Sequence, residues 1–155
     1  MWKSAAVLWW LCTTAFAQTL AIAPVTVDRG SANIFRIMLK PQAEKPITAL
    51  QWDLVYREGL RIEPSGVVPG AASEAAGKSV TCARKPSDGS KERLACILIG
   101  GVEALSAGVI AIVRIEAAKA TPIGERTVDL EKIIGVSAKL EPVPMENTKA
   151  SITIR

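Results

Sequence analysis

Hydrophobic and polar residues alternate with a period of two along most of this chain, in short runs separated by turn residues. The clearest run, residues 47–56, reads ITALQWDLVY. Alternation places Leu50, Trp52, Leu54 and Tyr56 on one side, and Ala49, Gln51, Asp53 and Val55 on the other. The first set is larger and more apolar, so it predicts the core side of a strand. The second set predicts the outward face. In residues 34–40 Phe35, Ile37 and Leu39 share a face opposite Arg36 and Lys40. Further extended runs are predicted at 20–27, 60–63, 79–84, 93–99, 109–118, 126–138 and 148–155. In the last of these Ala150, Ile152 and Ile154 point inward. Gly135 suggests a bulge or break within 126–138. The segment 64–77 reads as an irregular loop rich in Gly, Ala and Ser, with a helical turn at 71–76. These nine strands, with turn signals at short spacing and no long helical period, predict an all-β sandwich.

The N-terminus follows a different pattern. Lys3 precedes the apolar run of residues 5–11, and Ala15-Phe16-Ala17 precedes Gln18. One positive charge, a short apolar segment and a small-residue site predict a secretory signal peptide cleaved after Ala17. Thr13 and Thr14 interrupt the run well short of the roughly 20 apolar residues a membrane span needs. Cys12 lacks the small preceding residues of a lipidation box. The expectation is an exported protein, extracellular or periplasmic, with no membrane span after cleavage. Residues 18–155 would form a single domain with a sizeable core.

Export changes the meaning of the remaining cysteines. Cys82 and Cys96 form an even pair in an oxidising setting. Between them, Lys85-Pro86-Ser87-Asp88-Gly89-Ser90-Lys91 carries turn chemistry. A hairpin symmetric about Gly89 sets the two cysteines opposite one another, where a bridge fits a non-hydrogen-bonded pair. Closing a loop of about 15 residues predicts roughly 3 kcal/mol of stabilisation. A metal-binding or reactive thiol pair is the competing reading, and the pair lacks the C-x-x-C spacing and the histidines of known sites.

Composition narrows the chemistry further. The chain has no histidine, and its 19 Lys and Arg are scattered among 15 Asp and Glu. Scattered charge argues against nucleic acid, which needs a basic patch. Without His, the commonest general base near neutral pH is missing, along with most Ser or Cys nucleophile arrangements. Asp53, Glu58 and Glu63 are close in sequence, but nothing in the pattern sets them across a cleft as a glycosidase pair. No calcium loop, P-loop or dinucleotide fingerprint is present, so no catalytic residue, metal or cofactor is predicted. Binding is the remaining class. Beyond the expected signal peptide the aromatic residues are Phe35, Trp52 and Tyr56. Alternation turns all three inward, which leaves no exposed platform for stacking a sugar ring. The face bearing Ala49, Gln51, Asp53 and Val55 is better suited to a protein partner.

The strand ITALQWDLVYREGLRI, the later SAGVIAIVRIEAA and the closing TKASITIR resemble, in order and spacing, the cohesin family. The resemblance runs from about Leu20 to Arg155. It implies a nine-stranded jelly-roll sandwich and a non-catalytic module that docks a dockerin-like or other exported protein. Polysaccharide-degrading or cell-surface assemblies are the implied setting. A carbohydrate-binding module, from the same superfamily of sandwiches, is the alternative. Cellulosomal cohesins carry Asn and Asp at two outward positions early in the corresponding strand, and aligning on Tyr56 puts Ala49 and Gln51 there. The Cys82 and Cys96 pair is not a general feature of that family.

Overall fold

The computed structural model of the protein describes residues 18–40 and 45–155. The expected signal peptide, residues 1–17, lies outside the described residues, as do 41–44 of the loop before the central strand. The chain forms β1 (Thr19–Ile22), β2 (Val25–Val27), β3 (Ala32–Lys40), β4 (Ile47–Arg57), β5 (Leu60–Arg61) and β6 (Val67–Pro69). A short helix α1 (Ala71–Ala75) follows, then β7 (Ser79–Asp88), β8 (Lys91–Ile99), β9 (Gly108–Ala117), β10 (Gly124–Ser137), β11 (Pro142–Val143) and β12 (Thr148–Ile154).

Two sheets make a jelly-roll β-sandwich. The smaller has the order β1-β3-β9-β5, with β6 also on β9; the larger has the order β2-β12-β10-β4-β8-β7, with β11 on β10. Neighbours pair antiparallel except β2 with β12, which run parallel. Twelve strands among the described residues stand where the pattern predicted nine. One reason is Pro24, which has no N–H to give a ladder and separates β1 from β2. β1 pairs with β3 in one sheet, and β2 pairs with β12 in the other. The short β6 and β11 account for the rest.

The four inward residues of β4 are buried in the single core cluster between the sheets. Burial of each such side chain is worth about 1.5–3 kcal/mol over exposure. Tyr56 keeps its polar end satisfied at the core's edge: its hydroxyl donates to the Ile62 carbonyl at 3.1 Å. Arg84 donates to that hydroxyl oxygen at 3.2 Å and to the same carbonyl at 3.3 Å. The Trp52 indole nitrogen is buried without a hydrogen-bond partner.

Local chemistry explains the remaining geometry. β7 and β8 extend past the expected ends at Arg84 and Arg93 and close on a two-residue turn, with Asp88 opposite Lys91 and Gly89 at a φ of 63°. A register shift between Lys85 and Asp88 then restores the symmetric pairing of Cys82 with Cys96. The two form a disulfide with Cα atoms 4.1 Å apart. That close approach belongs to a non-hydrogen-bonded pair. Cys96 also faces Trp52 across the ladder, so the bridge lies on the core side.

In β10 the interruption falls three residues before Gly135. Two residues, Lys132 and Ile133, occupy the space opposite Trp52 between the paired Glu131 and Ile134, and Lys132 has a φ of 50°. Gly135 has another cause: a Cβ there would lie 3.2 Å from Ile47 Cδ1 and 3.3 Å from Val143 Cβ. Gly70, before α1, is tighter, because its Cβ would meet the Val109 carbonyl oxygen at 2.4 Å. The glycine lets α1 press onto β9, where the Ser73 hydroxyl donates to the Ile110 carbonyl at 2.7 Å.

Candidate partner-docking face

The outer face of the larger sheet carries Ala49, Gln51, Asp53 and Val55, as alternation requires. They do not all reach solvent. Gln51 is exposed and Ala49 half-buried, but Asp53 and Val55 are 0% and 2% exposed. The expectation of a four-residue surface is corrected on these two positions. Long side chains from neighbouring strands close over Asp53. Lys85 of β7 and Arg93 of β8 each approach the Asp53 carboxylate at 3.0 Å, and Arg93 also reaches Glu131 of β10 at 3.1 Å. Val55 sits opposite Arg93 in the ladder. Burial acts most strongly on Arg93 and works to lower its pKa. The hydrogen bonds to Asp53 and Glu131 outweigh that effect and hold the guanidinium above its ordinary value. The middle of the face is therefore a neutralised ionic cover.

The accessible part lies beside it, towards the start of β4. Ile134 of β10, Gln51, Ile97 of β8 and Thr81 of β7 form one row across four strands. Val136 and Ala49 face one another in the next row, and Ile99 ends β8 on the same side. Ile97, Ile99 and Ile134 are 38%, 46% and 46% exposed. The signal for Ile97 and Ile99 was in the sequence. Leu94, Cys96 and Leu98 fill the inward positions of β8, so Ile97 and Ile99 break the apolar-polar alternation.

The rim at that end is apolar too. Val102, in the loop after β8, and Leu140, in the turn after β10, are both strongly exposed. Both loops are tied to the first residue of β4: the Leu105 amide donates to the Ile47 carbonyl at 2.8 Å, and Ile47 pairs with Ser137. Lys78 anchors the loop after β8 from beneath. Its ammonium donates to the carbonyls of Gly100 at 2.6 Å and Gly101 at 3.3 Å, and burial lowers its pKa.

The other residues weighed for chemistry are dispersed. Asp53 is consumed by Lys85 and Arg93. Glu63 pairs with Arg61 and Arg84, and its pKa is lowered chiefly by the hydrogen bond from Arg61. Glu58 lies at the opposite end of the sandwich, on an open bowl of about 940 Å³ also lined by Arg57, Thr121 and Arg126. The fold does not bring these three carboxylates together as an acid and base. Phe35, Trp52 and Tyr56 are all in the core. No helix among the described residues is long and apolar enough to cross a membrane.

No protein-family model matches the chain. No curated protein matches it in sequence. Solved structures do match. A cohesin in a type I cohesin–dockerin complex from Clostridium thermocellum superposes with a TM-score of 0.73 at 16% identity, over 90% of this chain and 100% of that one. The sixth cohesin of scaffoldin B from Acetivibrio cellulolyticus, solved with a Cel5 dockerin, gives 0.69 at 15% identity over the same shares. The chain has a cohesin-like fold. A non-cellulosomal cohesin from the archaeon Archaeoglobus fulgidus gives 0.68 at 11% identity, covering 90% of this chain and 92% of that one. At these identities the likeness is one of architecture, and it extends across both sheets of this cohesin-like domain.

Proposed function

We propose that this chain is an exported, non-catalytic module that docks a protein partner on the outer face of its larger sheet. The observation that carries the reading is the set of exposed isoleucines Ile134, Ile97 and Ile99 flanking Gln51 on a cohesin-like sandwich. Three isoleucines standing in water on β10 and β8, on either side of β4, serve no purpose in the core, whereas a covered interface of this kind is apolar at its centre and polar at its rim. The Lys85, Asp53, Arg93 and Glu131 network supplies that rim on one side.

Several cohesins of the same architecture were solved with dockerins bound. They support a protein, dockerin-like in the broad sense of a small docking module, as the partner class here. Ala49 offers no side-chain hydrogen bond where cellulosomal cohesins carry Asn, and Gln51 offers an uncharged amide where they carry Asp, so the flanking isoleucines supply most of the contact in this reading. The disulfide fits an oxidising compartment, and the signal-peptide pattern at 1–17 supports export.

The test is capture of exported proteins from the source cells by the oxidised domain, compared with an Ile97→Glu, Ile134→Glu variant of unchanged melting temperature. A defined protein held in stoichiometric amount by the wild type and lost by the variant supports the reading. Equal capture by both removes it.

A further inference from the structure

The smaller sheet also has an outer face, and its chemistry differs from the docking face. Phe35, Ile37 and Leu39 of β3 point inward, so Ile34, Arg36, Met38 and Lys40 point out. Across the ladder Ile34 faces Arg114, Arg36 faces Ile112 and Met38 faces Val109 of β9. Ile112 in turn faces Val68 of β6, and Arg61 of β5 faces Glu116. Ile34, Met38 and Val68 are exposed large apolar residues. Four cations, Arg36, Lys40, Arg61 and Arg114, share this face with Glu116, and with Glu63 at its edge, in a chain whose whole net charge is only +4. Arg114 pairs with Glu116, and Arg61 pairs with Glu63 at the sheet's edge. Among the described residues Arg36 and Lys40 have no acidic partner.

We propose that this face is a second interaction surface, which seats the domain on an anionic lipid bilayer. Cations interleaved with protruding aliphatic side chains match such a surface on both counts: the headgroups are negative, and the acyl boundary accepts Ile, Met and Val side chains. The alternative occupant, an acidic protein, is less well served. An acidic protein would answer the cations alone, whereas the protruding Ile34, Met38 and Val68 interleaved with them find their counterpart in the acyl boundary beneath the headgroups. The charge distribution also separates the two faces, since Asp53 and Glu131 cancel Lys85 and Arg93 on the larger sheet. With one face on a bilayer, the other stays free for a protein partner.

The experiment is cosedimentation of residues 18–155, which contain both sheets and the whole core cluster, with vesicles of mixed phosphatidylglycerol and phosphatidylcholine at low ionic strength. The wild type should pellet with these vesicles and not with phosphatidylcholine alone. Added salt should release it. An Arg36→Gln, Arg114→Gln variant should bind roughly thirty-fold more weakly, from about 1 kcal/mol per cation near the surface. Both arginines are exposed, so its melting temperature should match the wild type. Ile97→Glu, on the opposite sheet, should bind vesicles as the wild type does. Wild-type protein left in the supernatant, equal binding to uncharged vesicles, or an unaffected double variant would each overturn the proposal. Retention on an acidic polypeptide resin without vesicle binding would also overturn it, and would point to an acidic protein instead.

Discussion

Replacing Asp53 with asparagine separates a structural role from a docking role at one position. The carboxylate is fully buried and accepts hydrogen bonds from Lys85 and Arg93 at distances of 3.0–3.1 Å. The amide would keep the volume and lose the charge, leaving one or two of those donors poorly matched. Hydrogen bonds to a charged group are worth about 1.5–3 kcal/mol each, and stranding charges around a buried site costs about 3–5 kcal/mol. Both figures need discounting, because the Lys85 and Arg93 side chains are 39% and 19% exposed and can turn to water. The expected loss is about 2 kcal/mol. For a domain of this size that lowers Tm by roughly 6–8 °C. Urea denaturation followed by Trp52 fluorescence reads the same loss as a shift of midpoint at constant slope. Partner binding per folded molecule should not change. Unchanged stability together with weakened binding would refute the argument, because it would make Asp53 a contact residue and not a buried anchor.

Trp52→Ala empties the centre of the core beside the disulfide and should cost about 3–5 kcal/mol by chemical denaturation, whereas Gln51→Ala should stay within about 0.5 kcal/mol of wild type. Equal stability of Trp52→Ala and wild type would invert the face assignment. Replacing Cys82 and Cys96 together with Ala, or reducing the bridge, should cost about 3 kcal/mol from a sequence separation of 14. Near-UV circular dichroism should report the change at Trp52, which lies opposite Cys96.

The inward half of the structure was legible because alternation is a local property. Leu50, Trp52, Leu54 and Tyr56 announce their side within seven residues, and the cysteine spacing about Gly89 announces its own register. The outward half was less so. Whether Asp53 meets solvent depends on Lys85 and Arg93, which lie more than thirty residues away in sequence and reach it only after β7 and β8 pair. Their length, not their position in any motif, decides the burial. The exposed Ile97 was readable from the broken alternation of β8. Its alignment with Gln51 and Ile134 was not, because it depends on the bulge at Lys132, a non-glycine residue with positive φ that carries no turn signature. The crossing from β1 to β2 followed from Pro24 once the two sheets were known. Alternation through 20–27 gave no sign that its halves join different sheets.

Which atoms a partner covers decides between the two sheets. Isoleucine methyl groups, labelled in the oxidised domain and followed by NMR as the captured partner is added, show this residue by residue. The signals of Ile97, Ile99 and Ile134 should shift or broaden, while those of Ile34 and Ile112 on the opposite sheet should hold their positions. Shifts confined to Ile34 and Ile112, or spread equally over both sheets, would contradict docking on the larger sheet.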